Sequence, residues 1–150
     1  MLEYKKIMCA FEFDGNSTAA LPLSATLAKE SNATLYIVHI ARVPTQDMDV
    51  PLPFKIQPHW ERDARARLGT IVRNTLGSDA KYVIDVRTGV PDTDIVRVAS
   101  DLNVDLIVMV THGRTGLEHL IMGSITEHVI RSASCPVLVL HGATSASAVA

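Results

Sequence analysis

The residues whose types and spacing best suit chemistry lie between Asp105 and Leu140. Asp105-Leu-Ile-Val-Met-Val110 reads as a buried strand, Thr111-His-Gly113-Arg-Thr-Gly116 as a glycine-containing loop, and Gly123-Ser124 as the entry to a helix. Pro136-Val-Leu-Val-Leu140 reads as a second buried strand. An apolar strand that feeds a helix N-terminus through glycines makes a phosphate site from the chain's own backbone. Glycines let the loop approach an anion closely, and the first amides of the helix have no partners inside it. Ser124-Ile-Thr-Glu127 fits a capping box, which predicts a helix beginning at Ser124. The simpler alternative is that these glycines only shape a turn and a cap.

The elements that position this loop follow from periodicity. Candidate strands run over 6–13, 33–40, 80–86, 105–110 and 136–141. Ile7–Phe11, Leu35–Val38, Leu106–Val110 and Val137–Leu140 are near-continuous apolar runs, as in strands of a parallel sheet covered on both faces. Tyr82-Val-Ile-Asp-Val86 alternates more, which predicts an edge strand. Between the strands, residues three or four apart form four helical stripes. The first is Ala20, Leu23, Leu27 and Ala28, with Asn16 or Ser17 available as a cap and Pro22 near the start. The second is Trp60, Ala64, Leu68 and Ile71, ending near Gly77. The third is Ile95, Val98, Ala99 and Leu102, opened by Pro91-Asp92, where Asp92 and Asp94 read as helix-start charges. The fourth is Ile125, Val129 and Ala133. Alternating strand and helix indicate a single doubly wound, Rossmann-like α/β domain over 1–141. Residues 41–58, with four prolines, read as a long irregular connection, and 142–150 as a loose tail.

The chain resembles the universal stress protein family, whose matching segment follows Gly-x-x-Gly, nine residues, then Gly-Ser or Gly-Thr. Gly113, the nine residues Arg114 to Met122, and Gly123-Ser124 fit that pattern; the first glycine falls at Val110, where the chain departs from it. Ser134-Cys-Pro-Val-Leu-Val-Leu140 is also similar, and a weaker resemblance extends back to Lys6. The resemblance implies a five-stranded parallel sheet in the order 3-2-1-4-5. Ligands of such sheets sit at the carboxyl ends of the strands where strand order reverses, here between strands one and four. It also implies ATP, with Mg, in that crevice. Glu12 stands where the family places an aspartate on the nucleoside, and Ile40 where backbone groups meet the adenine. Phosphates would lie on the backbone of Gly113, Arg114, Gly123, Ser124 and Ile125. Two departures weaken ATP binding: Val110 brings methyls to bare backbone and would be strained at positive φ, and Glu12 adds a methylene to the aspartate.

Other chemistry lacks its residues. His112, His119 and His128 do not share one helical face, so surface or supporting roles are expected rather than zinc binding. Gly113-Arg-Thr-Gly116 is followed by no P-loop lysine, the strand-one loop holds one glycine instead of a dinucleotide fingerprint, and Ser17 and Ser24 lack a nucleophile elbow. A receiver-domain reading lacks its aspartate after strand three and its lysine after strand five. The 150 residues carry a formal charge of −2, which gives no argument for nucleic acid or an anionic membrane. Cys9 and Cys135 read as buried thiols in a reducing compartment. Met1-Leu-Glu-Tyr-Lys-Lys6 lacks a signal core and no apolar run has membrane-spanning length, so a cytoplasmic address is expected.

The resulting expectation is a non-catalytic stress-response protein that binds an adenine nucleotide and works as a homodimer through the Pro136–Leu140 edge strand, with further protein partners unspecified. The alternatives are a nucleotide-free dimeric scaffold of the same fold and a slow ATP hydrolase using Glu12 or Asp14 as base.

Overall fold

The apolar runs become five parallel strands in the computed structural model, which describes residues 3–42, 57–111 and 123–142. In chain order the elements are β1 (Lys6–Ala10), α1 (Ala20–Ser31), β2 (Thr34–Arg42), α2 (Gln57–Leu76) and β3 (Val83–Gly89). They continue with α3 (Pro91–Asp101), β4 (Leu106–Thr111), α4 (Ser124–Ser132) and β5 (Val137–His141). The sheet order is β3-β2-β1-β4-β5, with every neighbouring pair parallel. This is the doubly wound order that the resemblance implied. Among the described residues, no helix is long and apolar enough to cross a membrane.

Side-chain alternation divides the core in two. Ile7, Cys9, Phe11, Leu35, Ile37, Leu106, Val108 and Val110 pack with Ala20 and Leu21 of α1 and Leu68 and Val72 of α2. Met8, Ala10, Val38, Ile40, Ile107 and Met109 face Ile95 and Val98 of α3 and Val129 of α4. All six residues of β4 are buried, as a central strand requires, whereas Val137 to Leu140 of β5 are half-buried because that strand is an edge.

Several boundaries differ from the sequence reading. β1 stops at Ala10 rather than Phe13, and β2 runs on to Arg42. Strand β3 begins at Val83 and continues to Gly89, because its register follows the longer β2. It is an edge strand, as its alternation indicated. Helix α2 starts at Gln57 and takes in Pro58, so residues 43–56 of the irregular connection, like the tail beyond Gly142, lie outside the described residues. Pro22 sits in the first turn of α1, where its missing N–H has no helical partner to lose. The first and third helices end on Asn32 (φ 53°) and Asn103 (φ 54°), left-handed residues that let Ala33 and Val104 bond back to Ala28 and Ala99.

Capping differs too. α4 begins at Ser124, but its N-cap is Gly123, so Ser124 is the first helical residue and no capping box forms. Glu127 instead pairs with Arg131 one turn on, at 2.7 Å. Before α1, neither Asn16 nor Ser17 caps with its side chain; a 3-10 turn, Ser17–Ala19, intervenes, and Asp14 receives its amides.

Candidate functional site

β1 has β2 on one side and β4 on the other, so strand order reverses between β1 and β4, and the crevice opens beyond their carboxyl ends. Three segments meet there. The chain after β1 turns through Gly15, whose φ of +82° only glycine adopts readily. Asp14 Oδ1 accepts from the amides of Asn16 (3.1 Å) and Ser17 (3.0 Å) and from the Ser17 hydroxyl (3.0 Å). The same hydroxyl accepts the Glu12 amide at 3.0 Å, so Ser17, which is buried, ties Glu12 to Asp14. The end of β5 joins them. The Gly142 amide donates to the Thr111 carbonyl, and a Cβ at Gly142 would stand 2.7 Å from that oxygen and 3.3 Å from the Asn16 side chain. Glycine at 142 is therefore required by close approach, not by its backbone angles.

The sequence-derived site residues fall on these segments unevenly. Glu12 lies two residues past β1 and is half-buried. Ile40 is inside β2 with its side chain in the core between the sheet and α3, leaving only its backbone for a ligand. Val110 lies in β4, as the strand reading placed it, paired with Leu140, and its side chain packs in the core on the α1 side. Its φ is not positive, so the strain weighed from the sequence is absent. Gly123, with φ −60° and ψ 155°, Ser124, which is exposed, and half-buried Ile125 form the start of α4. The first helical bond there runs from the Glu127 amide to the Gly123 carbonyl, so the preceding amides have no partner within the helix. His112, Gly113, Arg114, Gly116 and His119 lie outside the described residues. Among the described residues, His128 makes a long contact, 3.5 Å, to the Ser132 hydroxyl. No group of three potential metal ligands occurs among the described residues.

Four participants were missed from the sequence: Asn16, Ser17, Thr111 and His39. His39 carried a signal, being one polar residue within the apolar run Ile37-Val-His-Ile40. Its Nδ1 lies 2.8 Å from the Phe11 carbonyl, and burial holds its pKa below the ordinary value despite that bond and the nearby Glu12 carboxylate. Both cysteines are free, and burial pushes the Cys9 thiol up to about 11, far from nucleophilic use.

The two sheet edges are treated differently. On β3, Arg65 of α2 donates to the Ile84 carbonyl at 2.8 Å, and Glu61 accepts both the amide and the hydroxyl of Thr88 at 3.0 and 2.9 Å. Among the described residues, no helix side chain does this for β5.

Comparison with known proteins places these features. The model of the universal stress protein family matches residues 3–141. Universal stress protein MJ0531 of Methanocaldococcus jannaschii is 33% identical over 144 residues, spanning 91% of this chain and 82% of that protein. Among solved structures, MJ0577 is similar with a TM-score of 0.78 at 25% identity, covering 96% of this chain and 100% of the other. A universal stress protein in complex with cAMP aligns with a TM-score of 0.68 at 18% identity, over 95% and 100% of the two chains.

Proposed function

The chain belongs to the universal stress protein family, and on that premise we propose that it is a non-catalytic, cytoplasmic regulator that binds an adenine nucleotide and works as a homodimer. ATP with Mg is the leading ligand, and AMP-type nucleotides share its recognition chemistry. The observation that carries the reading is the strand-order reversal between β1 and β4, followed on one side by a glycine-turned loop and on the other by a helix whose first amides have no partner within the helix. Amides without an intrahelical partner at a helix start favour phosphate through hydrogen bonding and the helix dipole. The cAMP complex of a protein with this fold is consistent with such a ligand. With its side chain in the core and its backbone unstrained, Val110 is compatible with a ligand in the crevice.

In this reading Glu12 reaches the nucleoside, the Ile40 backbone meets the base, and Gly123, Ser124 and Ile125, with Gly113 and Arg114, hold the phosphates. Asp14 is a poor candidate for a hydrolytic base, because one of its carboxylate oxygens already takes three donors. An outer β5 edge that lacks, among the described residues, the side-chain bonds that close β3 supports antiparallel β5 pairing across the dimer. Thermal-shift titration with Mg-ATP, AMP and cAMP at millimolar concentration tests the ligand. A midpoint that rises with concentration is the expected outcome. No stabilisation by any of the three removes the nucleotide and leaves the nucleotide-free scaffold.

A further inference from the structure

The loop that carries Glu12 is fastened from below by a cluster on β2 and α2. A carbonyl oxygen only accepts, so the Nδ1 of His39 that faces the Phe11 oxygen at 2.8 Å carries a proton and donates it. The neutral ring is therefore the Nδ1–H tautomer, and acidification adds the second proton at Nε2. The Phe13 ring stands edge-on to the imidazole, with centroids 4.5 Å apart and planes at 73°. Phe13 in turn lies under the Arg67 guanidinium at 4.4 Å and against Phe11 at 5.3 Å. Both neighbours of Glu12 are thus held through His39, one by its carbonyl and one by its ring.

The charges that act on the imidazole have opposite signs. Glu12 favours its cation and Arg67 of α2 opposes it. Its neighbours within the sheet, Phe11 of the strand-one segment and Val86 of β3, are neutral, and α1 adds no charge that acts on it. Asp85 and Arg87 flank Val86 and so lie on the other face, paired with each other and, through Arg87, with Asp101 of α3.

We infer that His39 is a proton-operated positioning residue for the strand-one loop: neutral, it holds Phe11 and Phe13 so that Glu12 serves the crevice, and protonated, it draws the Glu12 carboxylate to itself. The cation also repels Arg67 from Phe13, loosening the second fastening. The inference rests on the nucleotide reading and adds a regulation to it, since affinity for an adenine nucleotide falls on acidification. Burial lowers the pKa of the imidazole, so the ring is neutral at neutral pH and takes its charge in the acidic range, where Nδ1–H still donates to Phe11 while Glu12 and Arg67 respond to the new charge. The sign is fixed by linkage. The folded imidazole holds its proton less tightly than the unfolded one, so its stabilising contribution is complete above about pH 6.5 and is lost as pH falls toward the folded value.

The test follows the full-length protein by NMR from pH 8 to 5, with His39→Asn and Glu12→Gln as variants. The asparagine amide can still donate to Phe11 but does not titrate. The His39 ring signals are expected to titrate below pH 6.5, with the amides of Phe13 to Ser17 sharing that midpoint. Glu12→Gln should lower the midpoint, and His39→Asn should abolish the shared loop titration. Calorimetry with ATP in metal-free buffer should show wild-type affinity falling by up to about tenfold per pH unit below the midpoint, beyond the titration of ATP itself seen with His39→Asn. Loop amides that ignore His39, a midpoint unmoved by Glu12→Gln, or equal pH slopes in the two proteins overturns the inference. A wild type that binds no nucleotide at pH 8 instead refutes the nucleotide reading, and the loop-amide titration alone then decides whether His39 operates the loop. If His39→Asn does not fold, the Glu12→Gln titration decides.

Discussion

Replacing Ser17 with alanine isolates the knot that holds the strand-one loop. The residue is 3% exposed, and its hydroxyl accepts the Glu12 amide and donates to Asp14 Oδ1, each at 3.0 Å. Alanine removes both bonds without creating a large cavity. A hydrogen bond to a charged group contributes about 1.5–3 kcal/mol and a buried donor left without a partner costs about 1–3 kcal/mol. These terms overlap, because Asp14 keeps the amides of Asn16 and Ser17. A net loss of about 2–3 kcal/mol is therefore expected, which for a domain of this size lowers Tm by roughly 4–12 °C. Urea unfolding is the assay, with a lower midpoint at unchanged m. Asp14→Ala combined with Ser17→Ala should lose less than the sum of the two single changes, since both cut the same bond. A loss below about 0.5 kcal/mol, or full additivity of the two substitutions, refutes the argument that Ser17 ties Glu12 to Asp14.

Two further outcomes test other parts of the molecule. Val139→Lys places a charge in the middle of β5 and should convert the proposed dimer to a soluble monomer in size-exclusion chromatography with light scattering; an unchanged dimer places the interface elsewhere. Asp105 accepts the amides of Lys5 and Lys6 at 2.7 and 2.8 Å, and these bonds hold its carboxylate below the usual range. Its contribution to stability is therefore full above the unfolded value near 3.8 and is lost as pH falls through the lower folded value. The stability gap between the wild type and Asp105→Asn, measured by urea unfolding, should close as pH drops below about 4, and a gap that widens there contradicts the assignment.

Much of the fold was legible because apolar periodicity reports burial directly. The runs at Ile7, Leu35, Leu106 and Val137 marked strands, and the alternation of Tyr82 to Val86 marked an edge, since a strand covered on both faces has no polar side to show. The ends of elements were less legible. Ser124-Ile-Thr-Glu127 has the composition of a capping box and the helix does begin at Ser124, but with Ser124 inside the helix the cap falls to Gly123 and Glu127 pairs with Arg131. A shift of one position in a terminus is worth little local energy, and packing decides it.

The sequence by itself determined the alternation of elements, the apolar faces and the family pattern from Gly113 to Ser124, because these depend on residue type and on spacing along the chain. Tertiary structure alone decided what surrounds the candidate site residues. It placed Val110 as an unstrained core residue, set Asp14 to work on Ser17, and brought Gly142 against Thr111 and Asn16. It also laid His39 under the Glu12 loop, joining residues 28 apart in the chain by one hydrogen bond. Such contacts come from parallel strands that share a register only after the helices between them have packed, so no local pattern encodes them.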